Sequence, residues 1–143
     1  MQLYEKTYDF FISSRWRNKD KVLELAKKLR EKGNSVYCFM EEKFNPGTIH
    51  GDPEEVMAKF EAIKNCRNDP FVKKIFKRDL RGLKASKCVV VLLPGGKSTH
   101  LEVGIGYGLG KKLILIGEQK ETESLYLIFS EFYPTINDFI KST

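Results

Sequence analysis

The chain has 143 residues, 41% hydrophobic and 12% aromatic, enough for one sizeable core; the expectation is a single domain over residues 1–143. Its formal charge of +6 and pI near 9.2 favour anionic ligands, but the lysines are scattered and no run of like charge is long enough to mark a nucleic-acid patch. No apolar stretch approaches membrane-spanning length, and three cysteines without C-x-x-C spacing beside two histidines point to no metal site.

Tyr8 to Ser14 is aromatic and β-branched and ends in hydroxyl residues, which predicts a central strand whose carboxyl end runs into Ser13-Ser14-Arg15-Trp16-Arg17-Asn18. Val22, Leu25, Ala26 and Leu29 recur at helical spacing within Lys19 to Lys32, and Gly33-Asn34 closes that helix. Val36 to Met40 reads as a second strand. Glu41 to Asp52, rich in Pro, Gly, Asn and Asp, is expected to be a loop of about a dozen residues, long enough to serve as a lid. Pro53 to Asn65 and Pro70 to Leu83 carry apolar residues on one face each and predict two helices broken at Arg67 to Pro70. The second helix carries Asp79.

Cys88 to Leu93 is a continuous apolar run, read as a strand covered on both faces and stopped by Pro94-Gly95-Gly96. Lys97 to Leu109 predicts a helix with Ser98 and Thr99 at its start and Glu102 in its first turns, where the helix dipole favours an ionised carboxylate. Gly110-Lys111-Lys112 leads out to a strand at Leu113 to Ile116, completing a βαβ unit. Leu125 to Phe129 reads as a last strand, and Thr135 caps a terminal helix to Lys141. Strands alternating with helices predict an α/β fold: one five-stranded parallel sheet with helices on both faces, flavodoxin-like or Rossmann-like. Ligands of such sheets sit beyond the carboxyl ends of the strands, which gathers Ser13 to Asn18, the 41–52 loop and Gly95 to Glu102 around one cleft.

Two familiar phosphate motifs fail on spacing. The glycines of Gly104-Ile-Gly-Tyr-Gly-Leu-Gly110 alternate inside a predicted helix, unlike a dinucleotide fingerprint, and read instead as sites of close helix packing at Gly104, Gly108 and Gly106. Pro94-Gly-Gly-Lys-Ser-Thr99 lacks the first P-loop glycine, which falls at Val91. A Gly-rich turn at a helix start can still hold a phosphate or a sugar hydroxyl. Taken singly, Glu102 is as readily a helix-start carboxylate and Asp79 a surface acid paired with Lys or Arg.

Asp79-Leu80, Leu83, Ala85-Ser86, an apolar strand, a Gly/Ser loop and Glu102-Val-Gly-Ile-Gly-Tyr-Gly-Leu-Gly-Lys-Lys together resemble the nucleoside 2-deoxyribosyltransferase superfamily, which includes deoxynucleoside 5'-monophosphate N-glycosidases. The resemblance implies that Glu102 is a nucleophile for C1' of the sugar and that Asp79 shares its site. It further implies that Ser13, Ser14, Arg15, Trp16 and Arg17, with Gly95, Gly96, Ser98 and Thr99, bind the phosphate, base or sugar of a nucleoside or nucleotide, with no cofactor. Two positions depart from the pattern: the first-strand tyrosine is here Phe10 or Phe11, and the acid or serine six residues before the glutamate is Gly96.

Tyr8-Asp-Phe-Phe-Ile-Ser-Ser with the following helix and Gly33-Asn-Ser-Val-Tyr also looks like the opening of a TIR domain, which implies NAD glycohydrolysis or a non-catalytic binding role. A cytoplasmic protein is expected, with structural thiols, no membrane or nucleic-acid partner, and a homodimer or higher homo-oligomer. Tyr126, Phe129, Phe132 and Tyr133 suit either an interface or the core.

Overall fold

A computed structural model describes residues 6–41 and 52–143. Five parallel strands form one sheet in the order β2-β1-β3-β4-β5: β1 (Tyr8–Ser13), β2 (Val36–Tyr37), β3 (Ser86–Leu92), β4 (Lys112–Ile116) and β5 (Glu131–Tyr133). The helices are α1 (Lys19–Glu31), α2 (Pro53–Glu61), α3 (Pro70–Lys84), α4 (Lys97–Gly108) and α5 (Ile136–Ser142). α1 packs with α5, and α3 with α4. α3 and α4 both rest on β1 and β3, so the strand order reverses beside β1 and β3 as in doubly wound sheets.

Each element has a local cause. β1 and β3 are buried on both faces, and their apolar runs supply side chains to both: Phe10 meets Phe139 of α5 edge-on, while its neighbour Phe11 stacks on Tyr37. α1 buries Val22, Leu25, Ala26 and Leu29, the four residues whose spacing predicts it, and ends where Gly33 takes φ 88°. α3 starts at Pro70 behind Asp69, whose carboxylate accepts from the Val72 amide at 3.0 Å. Thr135 caps α5 in the same way, accepting from Asp138 N at 3.1 Å.

Three expectations need correction. Leu125 to Phe129 is not a strand: Ser124–Ile128 is a 3-10 turn that leaves Leu125 and Leu127 exposed. The fifth strand is the shorter Glu131–Tyr133, an edge strand in which Glu131 pairs with Lys112 of β4. Val36 to Met40 is strand only at Val36–Tyr37, after which Phe39–Glu41 tightens into a 3-10 turn with Phe39 and Met40 buried. The helix predicted to reach Asn65 ends at Glu61, and Asn65 adopts φ 55° before α3. The proposed lid at 41–52 lies almost wholly outside the described residues.

Among the described residues no helix is long and apolar enough to cross a membrane. Cys38 and Cys66 are free, as is Cys88. Burial pushes the Cys38 thiol up to about 12, which keeps it protonated and inert.

Candidate active site

Parallel strands alternate their side chains, so Phe11 and Ser13 of β1 point to the same face of the sheet, the one covered by α3 and α4. α4 lies tight on that face because Gly106 has no side chain; a Cβ there meets Val89 at 3.1 Å and Leu113 at 3.3 Å. Gly104 and Gly108, expected to pack as well, face open space. The close approach at Gly106 sets the second turn of α4 over the end of β1. Glu102 there receives a long hydrogen bond, 3.4 Å, from the fully buried Ser13 hydroxyl to its Oε2.

Asp79 comes to the same place from α3. Its Oδ1 accepts from the Tyr37 phenol at 2.7 Å and from Arg78 Nε at 3.0 Å. Glu102 is pushed up to about 8, first by burial and then by the Asp79 charge, with the Ser13 hydroxyl pulling the other way. The helix dipole argued for an ionised Glu102; loss of water and a second carboxylate outweigh it. At neutral pH Glu102 therefore keeps its proton.

Around this pair the other sequence-predicted residues divide into two groups. Arg15 is exposed and lies against the Gly-rich turn, its Cβ 3.4 Å from where a Gly96 side chain would begin. Ser98 is exposed at the start of α4. Ser14, Thr99, Trp16 and Arg17 are instead engaged within the protein. The Ser14 hydroxyl donates to Leu92 O at 2.7 Å and accepts from Asn18, joining the ends of β1 and β3. The buried Thr99 accepts from the Gly96 amide at 3.0 Å and packs where a Gly95 side chain would stand. Trp16 meets Phe39 edge-on at 5.5 Å, and the Arg17 guanidinium binds Glu54 at 2.8 Å and Glu61 at 3.2 Å on α2.

Two residues of this region escaped the sequence reading. His100 bridges the turn to the 3-10 segment at 124–128, with Nδ1 2.8 Å from Gly96 O and Nε2 2.8 Å from the Tyr126 hydroxyl. Tyr37 is the other, and only the β1–β2 register, which sets it opposite Phe11, brings it to Asp79. A cavity of about 350 Å³ lies further along the sheet, lined by residues including Lys120, Glu123, Tyr126 and Phe132. It includes neither carboxylate, and the clustering of Ser13, Asp79 and Glu102 at the strand-order reversal is the better mark of a site.

No protein-family model and no curated protein matches this chain. Solved structures do match its fold. A 2-deoxyribosyltransferase from the psychrotolerant bacterium Bacillus psychrosaccharolyticus superposes with a TM-score of 0.60 at 17% identity, over 92% of this chain and 89% of that one. The Clostridium botulinum CMP N-glycosidase BcmB superposes with a TM-score of 0.51 at 17% identity, over 93% of this chain and 96% of that one. The chain thus has the α/β fold of the 2-deoxyribosyltransferase and N-glycosidase structures, the group its 79–116 pattern resembles.

Proposed function

We propose that the protein cleaves the N-glycosidic bond of a nucleoside or nucleoside 5'-monophosphate through Glu102. The observation that carries this reading is a half-buried carboxylate, Glu102, held by Ser13 and set beside Asp79 at the carboxyl ends of β1 and β3, in a fold shared with enzymes of that chemistry.

Glu102 passes its proton to Asp79 and attacks C1'; an O–C1' bond forms while the C1'–N bond breaks and its electron pair leaves with the base. Asp79 delivers the proton to the departing base nitrogen. Water then attacks C1' of the glycosyl ester, giving its proton back through Asp79, and the Glu102–sugar bond breaks with net retention. A second base in place of water gives the transferase outcome. Arg15, Ser98 and the turn at Gly95 and Gly96 face the anionic or sugar end of the substrate, with Trp16 and the Arg17 ion pairs behind them holding the loop.

The free thiols suit a reducing cytoplasm. The assembly is a homodimer in this proposal. Phe129 and Tyr133 belong to the core and its edge, leaving Leu125, Leu127 and Phe132 as exposed apolar surface for a second copy to cover.

Chromatographic detection of free base tests the reading, with wild type and Glu102→Ala incubated with ribo- and deoxyribonucleosides, their 5'-monophosphates and NAD. Base release from a nucleoside or its monophosphate by wild type alone is the expected result. Nicotinamide release alone redirects the activity to NAD, and no release with nucleotide binding intact overturns catalysis.

A further inference from the structure

Tyr37 belongs to β2, two strands away from β3 and outside the 79–116 pattern that carries the two carboxylates, yet its side chain ends on Asp79. Its route there is built. The ring lies flat on Phe11, with centroids 5.1 Å apart and planes 3° apart, while Tyr8 closes its edge at 5.5 Å. From α3 comes Gly82, where a Cβ sits 2.6 Å from ring carbons Cδ2 and Cε2 of Tyr37. Any larger residue at 82 pushes the ring away. The phenol is thus fixed by the Phe11 stack and by the room that Gly82 leaves, and it meets Asp79 one turn of α3 earlier.

Both donors to Asp79, the Tyr37 hydroxyl and Arg78 Nε, take the same oxygen, Oδ1. The second oxygen, Oδ2, accepts no hydrogen bond among the described residues. A carboxylate gripped by one oxygen from two directions is held in one rotamer.

We propose that Tyr37 is a positioning residue of the Glu102 site: it fixes the Asp79 carboxylate in the orientation that faces Glu102, and Gly82 is the position that admits it. The inference rests on the proposed glycosidic chemistry for its functional meaning, but its geometric content stands without it. The groups bearing on the pair are Tyr37 from β2, Arg78 from α3 and Ser13 from β1, with the two carboxylates acting on each other. Releasing Tyr37's hold lets Asp79 turn toward water, which lessens its repulsion of Glu102.

The experiment is a ¹³C NMR titration of the full chain labelled at glutamate side-chain carboxyls, with the Glu102 signal assigned by its loss in Glu102→Gln. Wild type, Tyr37→Phe, Gly82→Ala and Asp79→Asn are compared, and folding of each is checked by thermal melting. Tyr37→Phe keeps the ring and its stack and removes only the hydroxyl. The expected result is a Glu102 midpoint lowered by about one pH unit in Tyr37→Phe, in the same direction as in Asp79→Asn, with Gly82→Ala following wherever it folds. With the glycosidase active, Tyr37→Phe also lowers kcat about tenfold at neutral pH and leaves KM within about twofold. An unchanged Glu102 midpoint in a folded Tyr37→Phe protein overturns the proposal, as does an Asp79→Asn protein whose midpoint matches wild type. The titration reads the same whether or not any base is released, so a failure of the glycosidase reading is seen separately, in the base-release assay.

Discussion

The Ser13 hydroxyl and the Glu102 carboxylate meet at 3.4 Å across the reversal in strand order, one at the last residue of β1 and the other in the second turn of α4. This contact ties α4 to the end of β1 at the place where doubly wound folds bind ligands. It also sets the sign of several outcomes, because Ser13 favours the ionised form of a carboxyl that burial and Asp79 drive toward the acid.

The reaction needs one proton on the pair, so its pH dependence is fixed by Glu102. Below about 8 the proton is present, and above it the proton is lost. We expect kcat/KM to be level on the acid side of about 8 and to fall about tenfold per unit above it, measured as base release across pH 6 to 10. A rate that climbs through 8 to a plateau contradicts proton sharing by the two carboxylates.

Stability carries the same signature. Glu102 is raised in the folded protein from an unfolded value near 4.5 to about 8, so the folded state binds the proton more tightly. Its contribution is fully present below the unfolded value and is lost as pH rises through the window from 4.5 to 8. Glu102→Gln cannot ionise, and its stability relative to wild type should rise by on the order of 3 kcal/mol between pH 4.5 and 8.5. Urea unfolding at the two pH values measures it.

Ser13→Ala and Ser14→Ala separate two hydroxyls that are adjacent in sequence. Removing Ser13's long bond raises the Glu102 midpoint by about half a unit at most, opposite in direction to Tyr37→Phe. Removing Ser14 leaves Leu92 O without its 2.7 Å donor in a buried setting and costs about 1–2 kcal/mol, read by thermal melting.

The helical glycines of α4 also separate. Gly104→Ala and Gly108→Ala meet nothing within 4 Å and should each stabilise the fold by about 0.5–1 kcal/mol. Gly106→Val forces a branched side chain onto Val89 and Leu113 and should destabilise it by about 1–3 kcal/mol. Equilibrium unfolding of the three variants ranks them.

The two arginines of the β1 loop predict different losses. Arg15→Ala should raise KM for a 5'-monophosphate about tenfold and leave KM for the free nucleoside within about twofold. Arg17→Ala removes ion pairs to Glu54 and Glu61 and should weaken the docking of α2 without that selectivity. Steady-state kinetics on the paired substrates distinguishes them.

Much of this architecture was legible in the sequence because periodicity reports burial directly. Val22, Leu25, Ala26 and Leu29 marked α1, and the valine run of β3 marked a central strand. The edge of the sheet was not legible. Leu125 to Phe129 has strand-like composition, but its 3-10 turn exposes Leu125 and Leu127. β5 is three residues held by pairing to β4 and has no apolar pattern of its own. The two carboxylates were found through the pattern around them, whereas Tyr37 was not, since its role depends on a strand register and a glycine on another helix. The phenylalanine facing Glu102's side of the sheet is Phe11, a choice between Phe10 and Phe11 that only the pleat decides.

Peptide mass spectrometry of enzyme quenched in acid, during turnover of a substrate that the base-release assay identifies, reads the Glu102 nucleophile itself. A sugar adduct on the peptide bearing Glu102, absent in Glu102→Gln, is the predicted result. Continued base release by Glu102→Gln at the wild-type rate, with no adduct on that peptide, would contradict it.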